Sequence, residues 1–331
     1  MNRIIACLLF SIACFPAGAM DQLRVGVLQF GTVNWEMDVL LRHQLDNKHG
    51  FAIKIVPLSS KHANSIALQG GAVDVIVSDW IWVNRQRAAG KDYTFFPYSL
   101  TVGGLYVRPD AAVQRLSDLK DLKLGVAGGP VDKSWLLLQA FGRKQGLDIA
   151  NAVEPAFAAP PLLNQLMLKG DLPAVLNFWH YGARLEAAGM VPLIDVRSML
   201  DGLEIREPVP MLGWVFSAGW AEKNRELIAG LLKASYAAKR VLHESDEEWE
   251  TIAPLTKAKD SATLDNLKRG YREGIPYGLN KNGMKVASKV FDMLAMEGGK
   301  KLVGEATLLQ AGTFWQVLDS EELIKNDVAR Q

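Results

Sequence analysis

The sequence predicts an α/β protein of two lobes, each lobe a mostly parallel sheet flanked by helices, with two hinge crossings. Three observations lead there. Short apolar, β-branched runs alternate with stretches of helical length, the pattern of βαβ units. The alternation restarts after Arg108-Pro109-Asp110. A late apolar strand, Gly213-Trp214-Val215-Phe216-Ser217, follows Pro208-Val209-Pro210 and is trailed only by helices, as if the chain returned to its first sheet.

Taken in order, strands are expected at Leu23–Phe30, Ala52–Leu58, Val73–Ser78 and Leu105–Arg108, with helices at Trp35–Lys48, Lys61–Gln69 and Ile81–Ala89. After the restart come strands at Lys123–Ala127, Ala156–Ala158, Ala174–Asn177 and Leu193–Val196. Between them lie helices near Lys133–Gln145, Leu162–Leu168 and Ala183–Ala188. The C-terminal part reads as a helix over Ala221–His243, a second opening at Ser245 with Glu248 placed for a capping box, and a third over Met284–Met296 closed by Gly298-Gly299. Residues 21–108 and 209–331 then form lobe one and 109–208 lobe two; two extended crossings make a hinge.

The first residues bound the location. Met1-Asn2-Arg3 is a short basic region, Ile4 to Phe15 an apolar run, and Ala17-Gly18-Ala19 a small-residue cleavage site, so residues 1–19 read as a secretory signal peptide. The run is shorter than the roughly 20 residues that span a bilayer. Ser11-Ile12-Ala13-Cys14 loosely matches a lipobox, but Ser11 stands where Leu is wanted, and cleavage after Ala19 is favoured. Both cysteines, Cys7 and Cys14, lie in that segment, which leaves no thiol for a disulfide, metal or nucleophile. Without Arg3 the chain carries 36 basic and 36 acidic side chains, a balance that gives nucleic-acid binding no support. No cofactor motif is present.

Several segments, in this order and spacing, resemble the periplasmic binding proteins of nitrate, sulfonate and taurine ABC transporters: LRVGVLQFGT, LQGGAVDVIVSDW, GGLYVRPDAAVQRLSDLKDLKLGVAGG, LKGDLPAVLNFW and GWVFSAGWAEKNRELIAGLLKASYAAKRVL. The resemblance runs from about Leu23 to Leu242, and is shared with binding proteins for pyrimidine precursors of thiamine. It implies a monomeric periplasmic protein that captures a small-molecule ligand and hands it to an ABC permease in the inner membrane. Ligand binding would then draw the lobes together.

Open α/β sheets bind ligands beyond the carboxyl ends of their strands. That rule selects Phe30, Thr32, Asn34 and Trp35 after the first strand, and Ser78, Asp79 and Trp80 after the third. In lobe two it selects Gly129, Asp132 and Lys133, then Asn177, Trp179 and His180; Trp214 lies at the second crossing. Glycines admit a ligand close to the backbone, helix N-termini offer free N–H groups, and aromatic rings clamp flat or cationic groups. Helix capping by Asp79 and Asp132, and filling of the lobe seam by the tryptophans, are the structural alternatives. With two aspartates, several rings, no arginine, and only Lys133 and His180 as cationic candidates, the loops lead us to expect a ligand with a flat or positively charged part.

An enzyme finds little support. No Gly-x-Ser-x-Gly elbow, phosphate loop or His-Glu-x-x-His pair occurs, and His43, His49, His62, His180 and His243 lack metal-site spacing. The thiamine-pyrimidine synthases, an offshoot of the same broad group, use a cysteine-rich segment that this chain lacks. An accessory or sensory binding protein serving an enzyme or receptor is the other alternative.

Overall fold

The computed structural model describes residues 20–276 and 283–315; the expected signal peptide and residues 316–331 lie outside them. Lobe one is a five-stranded sheet in the order β2-β1-β3-β10-β4, built from β1 (Gln22–Leu28), β2 (Ala52–Leu58), β3 (Val75–Ser78), β4 (Tyr93–Ser99) and β10 (Leu212–Ser217). Lobe two has the order β7-β6-β8-β5-β9, from β5 (Gly103–Val107), β6 (Lys123–Ala127), β7 (Glu154–Ala158), β8 (Ala174–Phe178) and β9 (Val191–Asp195). In each sheet four strands run the same way and one crossing strand runs against its two neighbours: β10 against β3 and β4, β5 against β8 and β9.

Two strand assignments change. The strand expected at Leu105–Arg108 in lobe one pairs instead with Ala174–Phe178 in lobe two, so the first crossing lies at residues 100–102. A strand's partners are set by tertiary packing, and nothing local to Gly103–Val107 distinguishes the two sheets. The strand β4 was missed because Pro97 interrupts its run; it lies at the edge of its sheet, where a missing N–H is tolerated.

Helices α1 (Val33–Arg42), α2 (Leu45–Lys48), α3 (Lys61–Gln69) and α4 (Trp80–Ala88) flank lobe one. Lobe two carries α5 (Lys133–Lys144), α6 (Ile149–Ala152), α7 (Pro160–Lys169), α8 (Trp179–Ala187) and α9 (Val196–Gly202). After β10 come α10 (Ala218–Lys223), α11 (Arg225–Glu244), α12 (Asp246–Thr256), α13 (Ser261–Glu273) and α14 (Gly283–Val303). The expected helix 35–48 breaks at Gln44, which takes a left-handed conformation, and the expected helix from Ala221 starts afresh after Asn224. Ser245 does cap α12 by accepting the Glu248 N–H. The Glu248 carboxylate does not reach back; it binds Arg42 and His43 at 2.7 and 2.8 Å, fastening α12 to α1. Gly299 interrupts α14 with φ +53°, and the helix resumes to Val303.

The core is continuous between the lobes. One cluster joins Ile76, Trp80 and Phe95 of lobe one to Leu124, Trp135 and Leu137 of lobe two, with Val290, Phe291 and Leu294 of α14 among them. Each such fully buried side chain contributes about 1.5–3 kcal/mol. Helix α14 packs on both α4 and α5, and α13 packs on α8, so the C-terminal helices span the seam.

Candidate functional site

Four strand ends deliver helix N-termini to the cleft. Ser60 accepts the Ala63 N–H and starts α3, so Lys61 is its first residue. Asp79 accepts the Trp82 N–H at 2.9 Å and starts α4. Asp132 accepts the Ser134 N–H at 2.9 Å and starts α5. Helix α8 begins at Trp179 without a side-chain cap. The Gly128-Gly129 turn needs its glycines: both have positive φ, and a Cβ on Gly128 would collide with the Asp132 carboxylate.

Contacts across the seam bring these ends together. Lys133 Nζ of lobe two donates to Asp79 Oδ2 of lobe one at 2.9 Å, with both side chains only 16% exposed. Lys61 Nζ of lobe one stands 5.0 Å from the centre of the Phe178 ring of lobe two. The Trp35 and Trp179 rings meet edge-on at 6.0 Å. Burial, then the neighbouring Lys133, holds the Lys61 amine below its ordinary pKa, although the side chain still reaches solvent. Among the described residues Lys61 makes no ion pair at contact distance; Asp79 and Asp132 act on it only from farther away. In the first turns of α3, α5 and α8, buried Asn64 Oδ1, Ser134 Oγ and His180 Nδ1 have no hydrogen-bond partner among the described residues. His180 is neutral at physiological pH: burial, then Arg184 and Lys61, depress its pKa to about 3.

The structure divides the sequence candidates. Asp79, Lys133, Asp132, Gly129, His180 and Trp179 gather at the seam. Ser78 and Thr32 are half-buried at the end of β3 and the start of α1. Phe30 is 71% exposed, with Lys257 Nζ 4.4 Å from its ring centre. Five candidates are instead structural. Asn34 bonds back to the Leu28 and Gly31 carbonyls, both at 2.8 Å. Asn177 donates to Pro160 O and Asn164 Oδ1. Trp80 is fully buried against Phe314, and Trp214, 1% exposed, donates to Ser235 Oγ at 3.2 Å from inside the first sheet. Trp35 is buried among Trp179, Trp249 and Tyr271 and fills the seam. Lys61 was missed, although Ser59-Ser60-Lys61 follows a strand and opens a helix like the loops that were chosen.

The Asp79–Lys133 pair yields a pH prediction. Burial opposes both charges, but each overcomes it for the other: the Asp79 pKa is lowered below 3.8 and that of Lys133 raised above 10.5. The pair therefore favours the closed seam fully between those ordinary values. The contribution of Asp79 is lost as pH falls through its depressed value, and that of Lys133 as pH rises through its raised one. Scattering on the ligand-free protein should show a constant radius of gyration from pH 5 to 9 and expansion below about pH 4. Asp79→Asn should be expanded already at pH 7. A variant as compact as the wild type would show that the pair does not hold the lobes.

No family model and no curated protein matches the sequence. Solved structures do match in fold. The periplasmic aliphatic sulphonate binding protein SsuA from Escherichia coli superposes with a TM-score of 0.69 at 19% identity, covering 86% of this chain and 94% of that one. The alkanesulfonate-binding protein SsuA from Xanthomonas axonopodis pv. citri, bound to MOPS, gives 0.69 at 17% identity over 90% and 99%. The desulfurization enzyme DSZB gives 0.61 at 14% identity over 94% and 99%. At such identities the fold is what is shared, and this chain has the two-lobe α/β fold of the periplasmic binding proteins.

Proposed function

We propose that the mature chain, exported by its N-terminal signal to the periplasm, captures a small organic anion between its lobes and delivers it to an ABC permease in the inner membrane. The observation that carries this reading is Lys61: an amine without a carboxylate at contact distance among the described residues, set among helix N-termini. Those N-termini carry positive partial charge and favour an anionic head group. The His180 ring, neutral and near enough to feel the Lys61 charge, and the Ser134 hydroxyl in the first turn of α5 each carry a polar atom without a partner among the described residues. The expectation of a cationic ligand held by Asp79 is set aside, because that carboxylate is engaged by Lys133 and the Trp82 amide. The fold shared with sulfonate-binding proteins supports the same reading, with Phe178 and Phe30 available to the organic part.

Calorimetry on protein freed of ligand by unfolding and refolding should compare taurine, butanesulfonate, nitrate and an uncharged pyrimidine. An organic anion is expected to bind at least tenfold more tightly than the pyrimidine. Absence of saturable binding by any anion, with the pyrimidine bound, would overturn the assignment.

A further inference from the structure

A cavity of about 610 Å³ lies beside the hinge and is lined by Trp179 but by neither Lys61 nor Asp79. That volume suits a small organic molecule. Its lining includes both crossings, residues 100–103 and 205–209, with α8 and the β9–α9 turn of lobe two on one side and α13 on the other. Buried Val196, Leu200, Ile205 and Val209 give it an apolar base.

Its polar groups are biased in one direction. Tyr106 is 94% buried, since only 6% is exposed, and it lines the cavity; its hydroxyl has charged neighbours but no hydrogen-bond partner among the described residues. Gly182 makes room for that hydroxyl, because a Cβ there would collide with it. Five carboxylates line the cavity against three guanidinium groups. Two of the three cations are matched: Arg269 binds Glu186 at 2.7 Å and Arg206 leans on Asp201 at 3.9 Å. Among the described residues that line the cavity, Asp195, Glu207 and Glu273 are therefore left with Arg197. Asp195 also caps α9 through the Ser198 N–H. Burial, followed by Glu186 and Asp195, pushes the Tyr106 hydroxyl further from ionisation; burial also raises the Glu186 pKa, against the pull of Arg269. A cation would relieve both.

We propose that this hinge cavity is a second binding site, for a small organic ammonium ion with an apolar body, held between the Trp179 and Tyr106 rings, the Tyr106 hydroxyl and the Glu207 and Glu273 carboxylates. Ring faces attract cations, and the apolar base receives the rest of the molecule. Because both crossings line the cavity, its occupant favours whichever lobe arrangement preserves it and so acts on closure. The proposal is independent of the anion reading of the cleft.

Benzylammonium is the probe, with benzyl alcohol as its uncharged counterpart, titrated by calorimetry into the full mature chain. Saturable one-to-one binding is expected for the cation and binding at least tenfold weaker for the alcohol. The exposed double substitution Glu207→Gln/Glu273→Gln should weaken the cation on the order of tenfold, and Tyr106→Phe, which removes only an unpartnered hydroxyl, by roughly threefold to tenfold. Lys61→Met should leave cation binding unchanged. Absence of saturable binding, full affinity in both hinge variants, or loss of binding in Lys61→Met alone would overturn the proposal.

Discussion

Replacing Lys61 by methionine is expected to weaken organic-anion binding by about tenfold to a hundredfold, without lowering the melting temperature of the ligand-free protein. A hydrogen bond to a charged group is worth about 1.5–3 kcal/mol. The second half of the expectation follows from the depressed pKa of the amine, which burial and Lys133 set. The folded protein disfavours this charge relative to the unfolded chain, so losing it costs the ligand-free fold nothing electrostatically. The sign also fixes a pH dependence. Affinity should hold constant at neutral pH and fall as pH rises through the folded-state value of Lys61, which lies below 10.5, earlier than an ordinary lysine would allow. Calorimetry between pH 7 and 10.5 with a permanently ionised sulfonate reads this directly. Unchanged affinity in Lys61→Met would move the anion site elsewhere.

The largest stability effect is expected inside lobe one. Glu36 of α1 and Lys239 of α11 form an ion pair from which water is excluded: the residues are 0% and 2% exposed. Ser235 Oγ donates to Glu36 Oε1 at 2.6 Å, Tyr271 OH donates to Oε2 at 3.1 Å, and the ammonium lies 3.9 Å from the centre of the Tyr98 ring. Lys239→Met strands the carboxylate, which costs about 3–5 kcal/mol. The midpoint should fall by roughly 5–8 °C in a chain of this size. Glu36→Leu/Lys239→Met should recover most of the loss, because replacing both charges removes the desolvation penalty along with the attraction. Calorimetric melting of both variants is the measurement. A single variant as stable as the double would mean that the pair is not coupled as its geometry requires.

How much of this was legible in the sequence differs from element to element. Strands such as Ala52–Leu58 and Lys123–Ala127, and caps such as Asp79 and Asp132, declare themselves locally, since β-branched runs and Asx residues before a helix act within a few residues. The carboxyl-end rule then placed Asp79 and Lys133 in one cleft from positions 54 apart. Aromatic residues misled it. Trp80 and Trp214 stand in or beside the right loops, but a ring's direction is decided by what packs against it, here Phe314, far along the chain from Trp80, and Ser235 on a later helix. Lys61 was legible and passed over: a lysine after a capping serine looks like a solvated surface charge until Phe178 of the opposite lobe is found beside it. The allegiance of β5 to lobe two was not legible, because both sheets accept an apolar five-residue strand.

The insertion of β10 between β3 and β4 bears on the order in which the chain can fold. All five strands of lobe two lie in one stretch, Gly103 to Asp195, and can pair as soon as that stretch is available. Lobe one must wait: β4 ends at Ser99 and the strand that joins it to β3 begins at Leu212, more than a hundred residues later. Contacts so distant in sequence are slow to form. Until they do, Val75–Ser78 and Tyr93–Ser99 present open apolar edges of the kind that recruit other chains. Refolding should therefore show a fast phase reporting Trp135 in lobe two and a slow one reporting Trp214, with aggregation confined to the interval between them.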